Sequence, residues 1–316
     1  LENKRFLKKI NMTIITVTGV TGFVGKNLKA YLQDAYKIKG VSRNKSKENR
    51  TYEELEKQGL GRTFAFIHLA GKAHDLKKTS NPEEYFEINT ELTKRVFNQF
   101  LKSDSEVFIY MSSVKACADK VEGMLTESTQ ENPKTIYGKS KLLAEAYILS
   151  KEIPSNKRVY ILRPCMIHGP NNKGNLNILY NLVSKGIPYP LGIYSNRRSF
   201  VSIQNLCFVI KELLKNRNIP NGVYNVSDDE SLSTNNLVKH IANAIGKKET
   251  ILKLPKSLVK VIASIGNILP LPLNSERLQK LTENYEVSNY KIKTAIEKEL
   301  PMSTQEGIAY TIKSFM

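Results

Sequence analysis

With 316 residues, 41% of them hydrophobic and 25% charged, the chain has the size and composition of a soluble globular protein built as one large domain or as a domain with an added lobe, and intrinsic disorder is excluded for its bulk. Its 48 Lys and Arg against 30 Asp and Glu give a formal charge of +18, which points to anionic company: nucleic acid, an acidic membrane surface or phosphorylated small molecules. Three cysteines, Cys117, Cys165 and Cys207, lack CxxC spacing, which excludes a disulfide framework and a Cys-rich zinc site; no metal is expected, and a reducing, cytoplasmic compartment fits.

Residues 1–11 are mixed basic and apolar, without a signal-peptide pattern, and read as a leader or an expression remnant ahead of Met12. Residues 13–18 read as a buried strand, and 25–34 as a helix with Leu28, Tyr31 and Leu32 on one face. A second strand is expected at 37–42, another at 64–69, a long helix at 84–102 and a strand at 106–111. A helix follows over about 136–150 and a strand at 158–162. This alternation predicts a parallel, doubly wound α/β sheet. An Asn-, Gly- and Pro-rich stretch at 168–196 breaks the rhythm, so residues 12–168 are expected to form mainly the first domain. Residues 169–316 are expected to form mainly a smaller mixed α/β lobe, with some segments returning to the first domain. The longest uncharged stretch, 261–275, is interrupted by Gly266, Pro270 and Pro272 and is too short to span a bilayer.

Glycines stand at 19, 22 and 25, directly after the first strand and at the opening of the first helix. That is the context of a dinucleotide-binding fingerprint. Gly19 serves the tight turn, Gly22 the approach of a pyrophosphate, and Gly25 the close packing of helix on strand. The helix N-terminus then offers free N–H groups to phosphate. At the end of the second strand, where an acidic residue would bind the ribose hydroxyls of NAD, Ser42 and Arg43 stand instead, followed by Lys45 and Lys47. A guanidinium suits a 2′-phosphate by charge and fork geometry, so NADP(H) is favoured over NAD(H).

Tyr137 and Lys141 lie four apart on a predicted helix and so share one face. A phenol is too weak an acid to serve as a base at neutral pH, and a nearby ammonium is expected to lower its pKa. The pair can then exchange a proton with an alcohol or ketone. The serines Ser112 and Ser113, at the end of the strand at 106–111, offer a hydroxyl to the same oxygen.

These motifs form a set with His68 to Gly71, with Asn89, and with Leu162, Arg163 and Pro164 followed by His168, Gly169 and Pro170. Together they resemble the extended short-chain dehydrogenase/reductases, in the nucleotide-sugar epimerase/dehydratase branch, over nearly the whole chain from Met12. The resemblance implies a Rossmann-type domain with a C-terminal substrate lobe. Tyr137 would be the acid/base and Lys141 the group that binds the nicotinamide ribose and tunes it, with Ser113 as the catalytic hydroxyl. Cofactor contacts would come from Gly19, Thr21, Gly22, Phe23, Val24, Gly25, Ser42, Arg43, Leu69, Ala70, Gly71, Asn89, Ser112, Tyr137, Lys141 and Pro164. Substrate contacts would come from Ser113, Lys115, Asn175 and Arg198, with Arg197 as an alternative and Arg277 as a further candidate. The chain departs from the family at Ala116, Cys117 and Ala118, where Val-Tyr-Gly is frequent, and at His168, where Tyr is frequent. A third strand carrying an acidic adenine contact is not visible. Cys117 has no activating His nearby in sequence and reads as a packing residue.

Within the family the closest subgroup is the UDP-4-keto-6-deoxy-N-acetylhexosamine 4-reductases, and the rival is a UDP-hexose or UDP-N-acetylhexosamine 4-epimerase using the same residues. A dehydratase is disfavoured because the serine loop lacks a Thr-Asp-Glu triplet. The family also suggests a homodimer. From another class, a non-catalytic NAD(P) sensor or nucleic-acid-binding regulator would suit the charge, but the intact Ser113, Tyr137 and Lys141 speak against it. Residues 254–273 with Lys253, Lys256 and Lys260 would suit an acidic bilayer face, although a buried helix of the substrate lobe is the preferred reading there.

Overall fold

The apolar, β-branched runs become strands. The computed structural model describes residues 12–44, 46, 49–59, 61–72, 81–172, 175–269 and 273–316; the expected leader, and Lys45, Lys47, Lys173 and Gly174, lie outside the described residues. In chain order the strands are β1 (Thr13–Thr18), β2 (Tyr36–Val41), β3 (Asn49–Arg50), β4 (Ala65–His68), β5 (Val107–Met111), β6 (Met124–Leu125), β7 (Arg158–Pro164), β8 (Met166–His168), β9 (Phe200–Ser202), β10 (Gly222–Val226) and β11 (Glu286–Val287). The helices are α1 (Phe23–Leu32), α2 (Tyr52–Gln58), α3 (Pro82–Phe86), α4 (Leu92–Leu101), α5 (Ile136–Leu149), α6 (Asn175–Ser184), α7 (Ile203–Lys215), α8 (Thr234–Ala244), α9 (Lys256–Ile265), α10 (Ser275–Thr282), α11 (Tyr290–Ile296) and α12 (Thr304–Lys313).

Seven strands form one parallel sheet in the order β3-β2-β1-β4-β5-β7-β10. Helices cover both faces, so β4 and β5 are buried at every residue and read as continuous apolar runs rather than alternating ones. One face packs Leu28 and Leu32 of α1 and Leu206 and Ile210 of α7. The other packs Val96, Phe97 and Phe100 of α4 and Ala144 and Ile148 of α5. The chain winds outward from β1 to β3, then crosses back to β4 and winds outward to β10. The winding reverses between β1 and β4, and their carboxyl ends open the crevice where a ligand binds in such sheets. The expected Rossmann-type, doubly wound α/β fold is therefore present.

The C-terminal half builds a second core from Leu179 and Val183 (α6), Val238 and Ile241 (α8), Val259 and Ala263 (α9) and Ile308 (α12). Its segment 203–226 returns to the first sheet as α7 and β10. Among the described residues no helix is long and apolar enough to cross a membrane.

Two local expectations differ. The single helix expected at 84–102 is broken by a π turn at Glu87–Glu91 between α3 and α4. The extra residue in that turn carries Asn89 fully into the interior. Where no third strand was visible, β3 pairs with β2 and α2 follows. Thr51 opens α2 with reciprocal bonds: its hydroxyl accepts from the Glu54 N–H at 3.2 Å and its own N–H donates to the Glu54 carboxylate at 3.1 Å.

Candidate active site

The glycines at the end of β1 each answer a steric demand. Gly19 adopts φ +66°, and a Cβ there would lie 2.8 Å from the Ala70 nitrogen, so the β1 and β4 loops touch through it. A Cβ on Gly25 would lie 2.3 Å from the Gly19 carbonyl oxygen and 2.6 Å from Val20 Cα. Gly22 precedes α1, whose first turn (Phe23, Val24, Gly25) has neither a side-chain cap nor an acidic residue. Its leading N–H groups are left for an anion, and Thr21 and Gly22 are exposed beside them. This cradle fits a dinucleotide pyrophosphate. At the end of β2 the Ser42 hydroxyl folds back onto the Asn44 carbonyl at 2.7 Å, while Arg43 is exposed. Tyr52 of α2 stands against this loop: burial raises its phenol, opposed by hydrogen bonds to Thr18 and the Gly19 backbone and by the Arg43 charge. Tyr52 was not among the expected site residues; the Thr51–Glu54 capping pair was the signal for its helix.

At the switch point His68 is fully buried, 2.7 Å from the Thr18 hydroxyl and 3.0 Å from that of Thr93. Burial, with the Lys141 charge adding to it, pushes its pKa down to about 3, so the imidazole is neutral. Leu69 and Ala70 follow, and the Ala70 N–H donates to the Thr18 hydroxyl at 3.2 Å. A Cβ on Gly71 would lie 2.9 Å from Lys141 Nζ and 3.0 Å from Asn89 Oδ1, so this loop runs directly over both side chains. Asn89 accepts the Lys72 N–H at 2.8 Å and donates to the Lys72 carbonyl at 3.1 Å and to Ser140 Oγ at 3.0 Å. It binds the β4 loop to α5.

The proposed catalytic groups meet at the carboxyl end of β5. Thr135 caps α5 by accepting the Gly138 N–H, and Asp119 holds Thr135 through its N–H at 2.9 Å and its hydroxyl at 3.0 Å. A Cβ on Gly138 would lie 2.3 Å from the Lys115 carbonyl oxygen, so the serine loop presses against the first turn of the helix that carries Tyr137. There the Tyr137 phenol is hydrogen-bonded to Ser113. Lys141, one turn further, is buried and donates to the Met111 carbonyl at 2.8 Å, above the Tyr110 ring at 4.9 Å.

The electrostatics differ from the sequence expectation. Burial lowers Lys141 to about 8, with Glu145 opposing. Burial also raises the Tyr137 phenol above its usual value, with Ser113 pulling it down and Tyr85, edge-on at 6.5 Å, pushing it up. The phenol is thus not drawn toward neutral pH: desolvation outweighs the pull of Ser113, and the Lys141 ammonium is engaged by a backbone carbonyl.

Ser112, expected near the cofactor, donates its hydroxyl to Glu145. Glu145 is fully buried and clasps Arg163, whose Nη2 also reaches Glu131 at 2.6 Å. Pro164 follows Arg163 at the end of β7. Glu145 was missed as a site residue, though it stands four after Lys141 and eight after Tyr137, on the same face of α5. Cys117 is buried with its thiol pKa raised by desolvation, as expected of a packing residue. Among the described residues no group of three or more His, Cys, Asp or Glu is placed to hold a metal.

Among the residues expected to contact substrate, Lys115 donates to the Asp119 carbonyl at 2.8 Å and lies 4.2 Å over the Tyr285 ring. Burial lowers its pKa first; the Asp119 and Glu283 charges oppose this, and those of Arg198 and Lys280 add to it, which places Arg198 in the same electrostatic neighbourhood. Arg198 is half-buried, donates to the Lys280 carbonyl and lies 3.8 Å from Glu283. Its alternative, Arg197, is paired with Glu286 at 2.8 Å on the surface. Arg277 is exposed in the first turn of α10. Asn175 begins α6, and its side chain lies outside the described residues.

A family model described as the NAD dependent epimerase/dehydratase family matches residues 15–227. The chain is 31% identical over 318 residues to the UDP-glucose 4-epimerase of Vibrio cholerae, covering 96% of this chain and 95% of that protein. It is 28% identical over 245 residues to the GDP-6-deoxy-D-mannose reductase of Pseudomonas aeruginosa, covering 72% and 78% of the two chains. The solved UDP-N-acetylglucosamine 4-epimerase from Bacillus cereus shares the fold, with a TM-score of 0.75 over 96% of this chain and 99% of that one at 20% identity.

Proposed function

This chain belongs to the NAD dependent epimerase/dehydratase family, and from that premise we propose that it interconverts alcohol and ketone at carbon 4 of a UDP-linked hexose as a 4-epimerase. The observation that carries the reading is the gathering of Ser113, Tyr137 and Lys141 beside the glycine cradle. The full-length similarity to a UDP-glucose 4-epimerase supports the choice of epimerase. A nicotinamide dinucleotide held through its pyrophosphate by this cradle would accept hydride from C4 and, once the keto sugar has turned over, return it to the opposite face. Tyr137 takes the C4 hydroxyl proton as the C–H electron pair leaves with the hydride, and gives a proton back when the ketone is reduced. Ser113 holds the same oxygen through its hydroxyl. Lys141 supplies positive charge behind them. Arg198 and Lys115 suit the diphosphate. Arg43 favours NADP(H) over NAD(H).

A second reading, reduction of a UDP-4-keto-6-deoxy-N-acetylhexosamine, is favoured by one observation: the 28% identity to a GDP-6-deoxy-D-mannose reductase. Incubating the enzyme with a panel of UDP-sugars and UDP-4-keto sugars, with either nicotinamide cofactor, separates the two. A new stereoisomer of unchanged mass without net cofactor use supports epimerisation. A gain of two hydrogens with matched cofactor consumption supports reduction. Turnover of neither substrate class sinks both.

A further inference from the structure

Helix α9 is apolar on the face where a surface helix is normally polar. Its inner side places Val259 and Ala263 in the core of the C-terminal lobe. Its outer side turns Leu258, Val261 and Ile265 to solvent at 46%, 56% and 43% exposure, and the chain beyond it adds Ile268 at 87% and Leu269 at 53%. Leu252, 44% exposed before the helix, extends the patch, and its carbonyl accepts the N–H of Gly192, next to the exposed Ile193. Six of the sixteen exposed large hydrophobics among the described residues thus fall between positions 252 and 269. Scattered apolar residues on a surface need no explanation, but a contiguous set does. The helix is not simply the buried element preferred from the sequence, because only one of its apolar sides has a core to pack on.

The charge around the patch says what covers it. Residues 247–280 carry Lys247, Lys248, Lys253, Lys256, Lys260, Arg277 and Lys280 against only Glu249 and Glu276. Lys253, Lys256 and Lys260 are exposed, and the Lys256 ammonium lies 5.7 Å from the Tyr194 ring at the border of the patch. A second copy of the chain seated symmetrically on this face would set its lysines against these. A nucleic acid would leave the apolar centre unmet. An anionic bilayer answers both features, with headgroup phosphates for the lysines and the acyl boundary for Leu258, Val261, Ile265 and Ile268.

We propose that the α9 face of the C-terminal lobe docks this enzyme on an anionic lipid surface. The proposal does not depend on which sugar the active site takes. The patch also lies close to the substrate side: α9 packs against α10, whose Lys280 carbonyl receives Arg198.

The test is flotation of the full chain with vesicles of equal parts phosphatidylcholine and phosphatidylglycerol, and with phosphatidylcholine alone, at low and high salt. The expected result is binding to the phosphatidylglycerol vesicles that weakens with salt, and little binding to phosphatidylcholine alone. Lys253→Gln, Lys256→Gln and Lys260→Gln together are expected to lower partitioning roughly a hundredfold, at about fivefold per lysine. Val261→Asp with Ile265→Asp is expected to abolish it while the circular dichroism and nicotinamide-nucleotide binding stay unchanged. Absence of binding to phosphatidylglycerol at low salt overturns the proposal. So does binding that survives both variants. So does a lipid-free oligomer in the wild type that Val261→Asp with Ile265→Asp dissolves, because the patch would then join copies of the chain.

Discussion

Arg163 and Glu145 form an ion pair wholly inside the protein: Nε of the arginine lies 3.1 and 3.0 Å from the two carboxylate oxygens, and both side chains are about 1% exposed. Ser112 donates to the same carboxylate, so the pair fixes the serine loop, α5 and the end of β7 to one another. Removing one partner strands the other charge in a dry interior. Glu145→Ala is expected to cost about 3–5 kcal/mol in urea unfolding, with Glu131 softening the loss. Replacing both partners by apolar residues of similar size, as in Glu145→Leu with Arg163→Met, is expected to cost less than the single change. A single variant as stable as the wild type would show that the pair does not carry this load.

Tyr137 is the group whose loss separates chemistry from binding. Tyr137→Phe keeps the ring against Tyr85 and removes only the hydroxyl shared with Ser113. Turnover is expected to fall about 10²–10⁴-fold while nicotinamide-nucleotide affinity, read by fluorescence titration, is retained. Retained turnover in this variant would remove Tyr137 from the acid/base role.

The sheet and the cradle were legible in the sequence for definite reasons. Strands buried on both faces, such as β4 and β5, can only be long apolar runs. Gly19 and Gly25 mark positions where a Cβ cannot fit. Tyr137 and Lys141 announce a shared helical face by their spacing. The π turn at Glu87–Glu91 was not legible, because one extra residue in a helix leaves the apolar pattern on either side intact. Nor was the Glu145–Arg163 pair, which joins residues 18 apart through the packing of α5 on β7. The pKa of Tyr137 depends on burial, which spacing does not report. The outward face of α9 was legible only as the less favoured of two readings, because an apolar helix looks the same in sequence whether one side or both sides find a core.

Arg43 tests the cofactor preference. It is exposed at the end of β2, beside the Gly19 turn that Tyr52 supports. A guanidinium there gains a charge-assisted bond only from a 2′-phosphate. Arg43→Ala is expected to raise KM for NADPH roughly ten- to a hundredfold and to leave KM for NADH nearly unchanged. Equal effects on the two cofactors would assign Arg43 to the adenine or to the shared pyrophosphate instead.

His68 gives the fold an acid limit. Its folded pKa is pushed down to about 3 by burial and by Lys141, against 6.5 for an unperturbed imidazole. Between those values the unfolded chain binds a proton that the folded chain refuses. Stability from this residue is therefore full above pH 6.5 and is lost as pH falls toward 3, at a limiting slope of about 1.4 kcal/mol per pH unit. His68→Asn removes the titration and keeps a polar group facing Thr18. The variant is expected to be less stable than the wild type at pH 7, yet to lose less stability between pH 6.5 and 5, where few carboxylates titrate. Urea midpoints measured across that interval decide the matter. Parallel slopes for the two proteins would show that the imidazole is not held neutral by its place between Thr18, Thr93 and Lys141.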